Sequence, residues 1–498
     1  MKKNTLLVIF ISIAHFLLLF FLGEHCFIWL DESFSLFTSG LSFKDTIHRA
    51  IIFEGQPPVY FMLLNLWRNI STTYSFARIF SIMCTTISIP LFNKIIGSVV
   101  EKRKGIYTVL YAINPILIWA GLEIRVYALT ILLTLILIIF FQIIFLAERD
   151  NIFHKTLFVI LSILSVHTTY YLSYVLIGFS LFLFLYNRKK ILVYIQLMLI
   201  PVISLIIYRN NLFSQINMHI TNETGSNIFF FWLNTIRSFF LPIYSTSNFS
   251  SLIIGILAFF SLILALILLI SKLPIKLSSF EKLICTNIVF LLIAFSFTRI
   301  IIGYSSVEAR HAIILFPLLF INLIWLIEHT NNKLSIYIVI PFLLLFYILN
   351  IKNNPPYLDK EYLLVKIDNY LHEKNRNNHP ILFYRGEVRN IYYYLNTDTN
   401  IYSFPMTIPL DIPYNHKDWF IKNKEQVENR FNQFNYSDTL WFVDNSLQTE
   451  ARKYLEKKFG TKLNYDVLNG FISENYYELS DTSFGKKYRV RELIKTTN

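Results

Sequence analysis

Residues 5–22 read TLLVIFISIAHFLLLFFL, and shortly after them comes Ile28-Trp29-Leu30-Asp31-Glu32-Ser33. An uncharged run of this length crosses a hydrocarbon core as a helix, so two adjacent carboxylates follow closely on a membrane span. Ionised groups at a membrane boundary are costly to desolvate. The Asp31-Glu32 pair therefore reads either as chemistry or as an acidic turn that ends a helix.

Outward from this stretch the pattern repeats. The chain has 498 residues, is 54% hydrophobic and only 15% charged, and its apolar residues fall in blocks of about 16 to 23, the length of a membrane helix. This is the composition of an integral membrane protein. Met1-Lys2-Lys3-Asn4 before the first block resembles a secretory signal, but Gly23-Glu24-His25-Cys26 offers neither a small-x-small cleavage site nor a lipoprotein cysteine context. The block is expected to be a retained first helix. The net charge of +13 needs no nucleic-acid partner, because many Lys and Arg lie in short loops where they set orientation. Cys26, Cys84 and Cys285 are scattered and suggest neither disulfides nor a cysteine metal site.

Basic clusters at Lys2-Lys3, Lys102-Arg103-Lys104, Arg149 with Lys155, Arg188-Lys189-Lys190, Lys272 with Lys276 and Lys282, and Lys333 each separate two apolar blocks. Placing them all in the cytoplasm gives spans near 5–22, 75–97, 105–120, 126–147, 156–167, 170–186, 191–207, 252–271, 283–300, 310–327 and 334–350, about eleven in all, with the C-terminus outside. One block, Pro57 to Trp67, is left over. It runs about 14 residues to Ile70 and holds Asn65 and Arg68, which reads as a juxtamembrane or re-entrant helix on the outer face. The spans at 156–167 and 170–186 are crowded, so their connecting turn must dip into the bilayer. Trp29, Trp67, Trp119 and Trp232 fall near the outer boundary as interfacial indoles.

After Asn350 the composition turns to Lys, Asn, Asp and Tyr with no further span, which marks residues 351–498 as a soluble extracytoplasmic domain beyond a membrane module of 1–350. Ile381-Leu382-Phe383-Tyr384 and Thr439-Leu440-Trp441-Phe442-Val443 read as buried strands; 359–373 and 447–458 have helical spacing. The domain is expected to be a small α/β unit.

The outer loops carry few charges: Asp31-Glu32, Glu54-Gly55-Gln56-Pro57-Pro58, Glu123-Ile124-Arg125-Val126-Tyr127, His167-Thr168-Thr169-Tyr170-Tyr171, and Glu308-Ala309-Arg310-His311 with Pro317. Carboxylates, arginines and a histidine at one membrane interface suit a substrate with a lipid tail and a phosphate head.

Trp-Leu-Asp-Glu after the first helix, Pro-Pro-hydrophobic-Tyr, Glu-x-Arg-x-Tyr, His-x-x-Tyr and Arg followed by Pro, over residues 1–350, together resemble membrane glycosyltransferases of the GT-C class. The likeness is to glycosyltransferase family 39, with its protein O-mannosyltransferases and aminoarabinose transferases. The resemblance implies an α-helical polytopic fold of GT-C type, with about eleven transmembrane helices, a juxtamembrane helix and a small C-terminal α/β domain. It also implies a multi-pass protein of the cell (inner) membrane with a cytoplasmic N-terminus and a periplasmic C-terminal domain. Its implied activity is inverting transfer of a sugar from a polyprenyl-phosphate donor to a lipid, protein or glycan acceptor. By position, Asp31 becomes the candidate general base and Glu32 its neighbour or an acceptor contact. Gln56 stands where the family has His or Lys, with Glu54 as the nearest carboxylate, which leaves donor-phosphate or metal contacts there open.

Such a reaction needs a base for the acceptor proton and positive charge for the departing phosphate. Arg125 and Arg310 fit the second need, or else anchor the outer face by snorkelling. Glu123, two residues from Arg125, would not face it on a helix. His167 is a candidate to bind a divalent metal with Glu54, the one cofactor considered, or to orient the acceptor. Tyr127, Tyr170 and Tyr304 are candidate pocket linings. The sequon Asn222-Glu223-Thr224 lies in an outer loop, 208–251. A transporter or lipid flippase, a ligase using pyrophosphate-linked oligosaccharides, and a scaffold displaying the C-terminal domain are the rival readings. Transport is disfavoured because the ionisable groups gather at one face and no repeat is seen.

Overall fold

The computed structural model describes residues 2–100, 103–148, 151–219, 228–238, 277–302, 309–329, 340–341, 343–344, 347–348, 362–374, 379–384, 386–395, 400–404, 424–431, 438–444, 465–485 and 488–496. The chain divides into two compact units, Met1–Cys26 with Thr38–Asp359, and Phe27–Phe37 with Lys360–Asn498.

The first unit is helical because lipid offers backbone N–H and C=O groups no partner but one another. Its order begins with α1 (Lys2–Glu24), after which α2 (Leu30–Ser39) lies mostly in the second unit. There follow α3 (Phe43–Ile52), α4 (Val59–Arg68), α5 (Tyr74–Ile96), α6 (Lys104–Ala112), α7 (Pro115–Leu122) and α8 (Tyr127–Phe141) with a π-helical extension, Gln142–Leu146. Then come α9 (Ile152–Val166), α10 (Leu172–Tyr186), α11 (Arg188–Ile207), α12 (Arg209–His219), α13 (Ile228–Ser238), α14 (Ser279–Ile302), a 3-10 turn (Ala309–Ile314) and α15 (Leu315–His329). Among the described residues six helices are long and apolar enough to cross a membrane, or seven if α6 and α7 form one bent span. The protein is a multi-pass membrane protein.

The structure refines several expected spans. The run at 105–120 is broken: α6 and α7 meet at 46°, because Pro115 has no N–H to continue the helix. Each group freed there finds a partner. Asn114 caps α7 by accepting from Ile116 N–H at 3.0 Å, and its own N–H donates to Tyr111 O. His15 Nδ1, on α1, donates to Ala112 O at 2.7 Å. The run at 310–327 opens as a 3-10 turn, and the leftover block is the ten-residue α4, too short to cross. The segment 208–251, expected as an outer loop, carries α12 and α13 and is not loop throughout. The span at 252–271, the sequon and most of 334–350 lie outside the described residues.

Side-chain contacts sort the helix ends into two levels. At one level Arg103 pairs with Glu328 at 3.0 Å, Gln142 donates to Ser98, Lys190 binds Glu148 at 2.8 Å, and Lys282 sits over the Tyr186 ring. At the other, His167 meets Ser204 at 3.1 Å, Tyr174 meets Thr298, and Tyr171 stacks on His311. Arg78, 1% exposed, ties this second level together. It donates to Gly23 O and Cys26 O beyond α1 and to Leu122 O at the end of α7, at 2.8 to 3.0 Å.

In the second unit α16 (Tyr362–Glu373), α17 (Gly386–Tyr393), α18 (Lys424–Phe431) and α19 (Tyr465–Asn475) accompany a five-stranded sheet ordered β2-β1-β3-β5-β4. The strands are β1 (Ile381–Tyr384), β2 (Ile401–Phe404), β3 (Thr439–Asp444), β4 (Tyr476–Phe484) and β5 (Tyr488–Lys495). β1 pairs in parallel with β2 and β3, whereas β5 runs antiparallel to β3 and β4. Leu382, Phe442 and Leu493 pack with Phe431 and Phe471 as the core. The two expected strands are β1 and β3; the expected helix at 447–458 and the linker at 352–356 lie outside the described residues.

Replacing Arg78 by Met leaves three buried carbonyls without that donor. The expected loss is about 2–5 kcal/mol of stability, measured by denaturation in mixed detergent micelles, while Lys94→Met on the same helix leaves the midpoint within about 0.5 kcal/mol.

Candidate active site

The charged residues at the second level of the helical unit form a connected chain. α3 begins at the Ser42 cap and ends in the turn that carries Glu54. Thr38 Oγ1 donates to Glu54 Oε1 at 2.7 Å and accepts from Arg49 Nε at 3.2 Å. Arg125 Nη1 lies 3.7 Å from the other oxygen, Oε2. The Arg125 and Glu54 side chains are only 9% and 5% exposed. Glu54 is thus linked to Arg125 directly and to Arg49 through the Thr38 hydroxyl. Guanidiniums pair with phosphate through parallel N–H donors, so two of them in a poorly hydrated cluster suit an anion of that kind.

Glu123 and Arg125 occupy a bend between α7 and α8, with Glu123 extended at φ −90°, ψ 129°. The helical spacing argument therefore does not apply to them. Both are buried. Ser81 Oγ donates to Glu123 O at 2.6 Å, which fixes this bend to α5. Tyr127 is 3% exposed and its ring packs 4.8 Å from that of Trp119. Trp119 is itself buried, so it is a packing residue and not an interfacial anchor. Arg310 opens the 3-10 turn at this same level, next to the His311 that stacks on Tyr171. Glu308 and Tyr304 lie outside the described residues.

His167 serves through two atoms. Its Nε2 faces Ser204 Oγ, and its carbonyl accepts from Val59 N–H at 3.0 Å, anchoring the start of α4. Glu54 and His167 do not fit a metal pair. Both oxygens of the carboxylate are engaged, one by a hydroxyl and one by an arginine whose charge repels a cation, and the imidazole faces a hydroxyl. Among the described residues no three His, Cys, Asp or Glu side chains gather in a metal-holding group.

The acidic pair belongs to the second unit, where it opens α2 and does not end a helix. Negative charge is favoured in a first helical turn. Glu32, buried completely, accepts from Trp29 N–H at 3.1 Å and so caps the helix from its third position. Asp31 is half-buried, with its carbonyl accepting from Ser35 Oγ. The two carboxylates are therefore not equivalent: one holds the helix start and the other keeps solvent access.

Thr38, Arg49 and Gln215 were not singled out from the sequence. Arg49 and Thr38 sit in stretches that read as ordinary polar helix, and only the fold brings them to Glu54. Gln56, for its part, enters through its backbone: its N–H donates to Ala50 O, and its carbonyl accepts from Gln215 Nε2 at 3.2 Å.

The fold is of GT-C type. The chain is similar to ArnT from Cupriavidus metallidurans bound to undecaprenyl phosphate, with a TM-score of 0.59, 10% identity, and 99% of this chain and 98% of that one covered. The apo state of the same protein matches at a TM-score of 0.50 and 11% identity over the same shares. No protein-family model and no curated protein sequence matches the chain.

Coupling between Glu54 and Arg125 is testable by a double-mutant cycle. Glu54→Gln, Arg125→Met and the double variant are expected to give an interaction free energy of about 1–3 kcal/mol in micelle denaturation, with Arg125→Met tolerated better when Glu54 is already neutral.

Proposed function

We propose that this chain is a glycosyltransferase that moves a sugar from a polyprenyl-phosphate donor to an acceptor at the outer face of the membrane. The observation that carries the reading is the buried run of side-chain contacts that joins Arg49, Thr38, Glu54 and Arg125 and so gathers two guanidiniums in one place. It is supported by a fold whose higher TM-score is to a structure bound to undecaprenyl phosphate. In this reading residues 1–350 form the membrane module, 351–498 an extracytoplasmic domain, and the first level of helix ends faces the cytoplasm of a cell with an inner membrane.

The chemistry follows from what a phosphate leaving group requires. An acceptor hydroxyl oxygen attacks the anomeric carbon, the bond from that carbon to the phosphate oxygen breaks, and the electron pair stays on the phosphate. Arg125 and Arg310 neutralise the charge that builds there; the leaving group is already anionic and needs no proton. The hydroxyl proton passes to Asp31, the half-buried member of the acidic pair. Attack from the face opposite the phosphate inverts the anomeric centre. Glu32 keeps Asp31 at the helix start and takes no proton. The reading routes no step through a metal.

Purified protein in nanodiscs, supplied with undecaprenyl-phosphate-linked sugars and a membrane extract as acceptor, is expected to release undecaprenyl phosphate. Asp31→Asn lowers transfer at least about a hundredfold while binding of undecaprenyl phosphate persists, and Arg125→Met weakens that binding about tenfold. Full activity of Asp31→Asn removes Asp31 from the role of base. No binding of any polyprenyl phosphate by the unaltered protein removes the donor class.

A further inference from the structure

Gln215 lies on α12, directly after α11, and is 1% exposed. Its carboxamide is used at both ends. Oε1 accepts from the Tyr170 hydroxyl, and Nε2 donates to Ile51 O at 3.1 Å and Gln56 O at 3.2 Å, with Tyr208 Oη at 3.4 Å. Ile51 O is one of the last carbonyls of α3, which no residue further along the helix can satisfy. Gln56 O lies across the turn that Gly55 makes with φ at +61°. One amide group thus closes the two ends of the segment 51–56, and Glu54 is inside it.

The segment is also held from the next side. Val59 N–H donates to His167 O, and Tyr170, which holds Gln215, is three residues from His167. The turn at 167–171 and helix α12 therefore grip the Glu54 turn together. Breaking the grip frees backbone, not a charged side chain, so the damage reaches Arg125 only through Glu54.

We propose that Gln215 is a positioning residue: through the carbonyls of Ile51 and Gln56 it holds Glu54 against Arg125, and so couples α12 to the anion-attracting cluster. The part of this inference that concerns a lipid phosphate rests on the function proposed above. Mechanically, the clamp stands without it. Gln215→Leu removes both donations and the acceptor for Tyr170. Gln215→Glu, of equal size, sets a carboxylate against two carbonyl oxygens at neutral pH and regains one donor when protonated.

The test compares the full-length protein with Gln215→Leu, Gln215→Glu, Tyr170→Phe and, as a control at the opposite level, Gln142→Leu. Each is reconstituted in nanodiscs. Amide hydrogen exchange over residues 53–56 is expected to rise at least about tenfold in Gln215→Leu, less in Tyr170→Phe, and not at all in Gln142→Leu. Affinity for undecaprenyl phosphate falls about tenfold in Gln215→Leu, and in Gln215→Glu the loss shrinks as pH is lowered, a rescue that Gln215→Leu cannot show. Unchanged exchange at 53–56 in folded Gln215→Leu or Gln215→Glu overturns the clamp. Raised exchange with unaltered affinity overturns the coupling to the cluster. If the unaltered protein binds no polyprenyl phosphate, the functional reading fails, and the exchange data decide the clamp by themselves.

Discussion

A backbone carbonyl inside a membrane protein must be given a donor, and much of the polar structure described here answers that demand. Arg78 closes the ends of α1 and α7, His15 takes the carbonyl released at the break of α6, and Asn65 donates to Ser39 O and Leu41 O behind α2. In each case a side chain from a distant stretch completes a helix that its own sequence could not. These residues resemble catalytic candidates in composition, being buried and polar, but they hold backbone carbonyls, with a hydroxyl as further partner of His15 and of Asn65. In the Glu54 cluster, by contrast, a carboxylate is joined to arginines.

That distinction orders the arginines at the polar level. Arg68 and Arg78 contact carbonyls and a serine hydroxyl and belong to the scaffold. Arg125 faces the Glu54 carboxylate, and Arg49 reaches it through the Thr38 hydroxyl. A single sequence shows arginines near the ends of apolar blocks and gives no means to sort them. The acidic pair separates by burial, since Glu32 is fully enclosed and caps Trp29 N–H while Asp31 is half-buried.

Much of the architecture was legible because hydrophobic length and period are physical necessities. α1, α5, α8, α11 and α14 follow from runs too long for anything but a span, and β1 and β3 from short buried runs rich in aromatic and branched residues. Asn114-Pro115 carried the signal of the broken helix, a cap followed by a residue lacking N–H, and an apolar count alone passes over it. β4 and β5 were hidden because charges alternate along them: Arg489 and Asp481 pair across the hairpin, and Arg491 lies over the Phe442 ring. Gln215 was illegible for a deeper reason. A glutamine in a polar segment has no periodic mark, and its partners lie some 160 positions away.

The shortness of α9 and α10 has a bearing on the surrounding lipid. Each has 15 residues, about 22 Å of helix, set against a hydrocarbon slab of about 30 Å. Mismatch of this size is relieved by thinning the adjoining leaflet. Thinning would draw the bilayer inward along the flank where His167 and Tyr171 turn the chain. A long-chain lipid on that side would bring its polar end down to the protein without leaving its own leaflet.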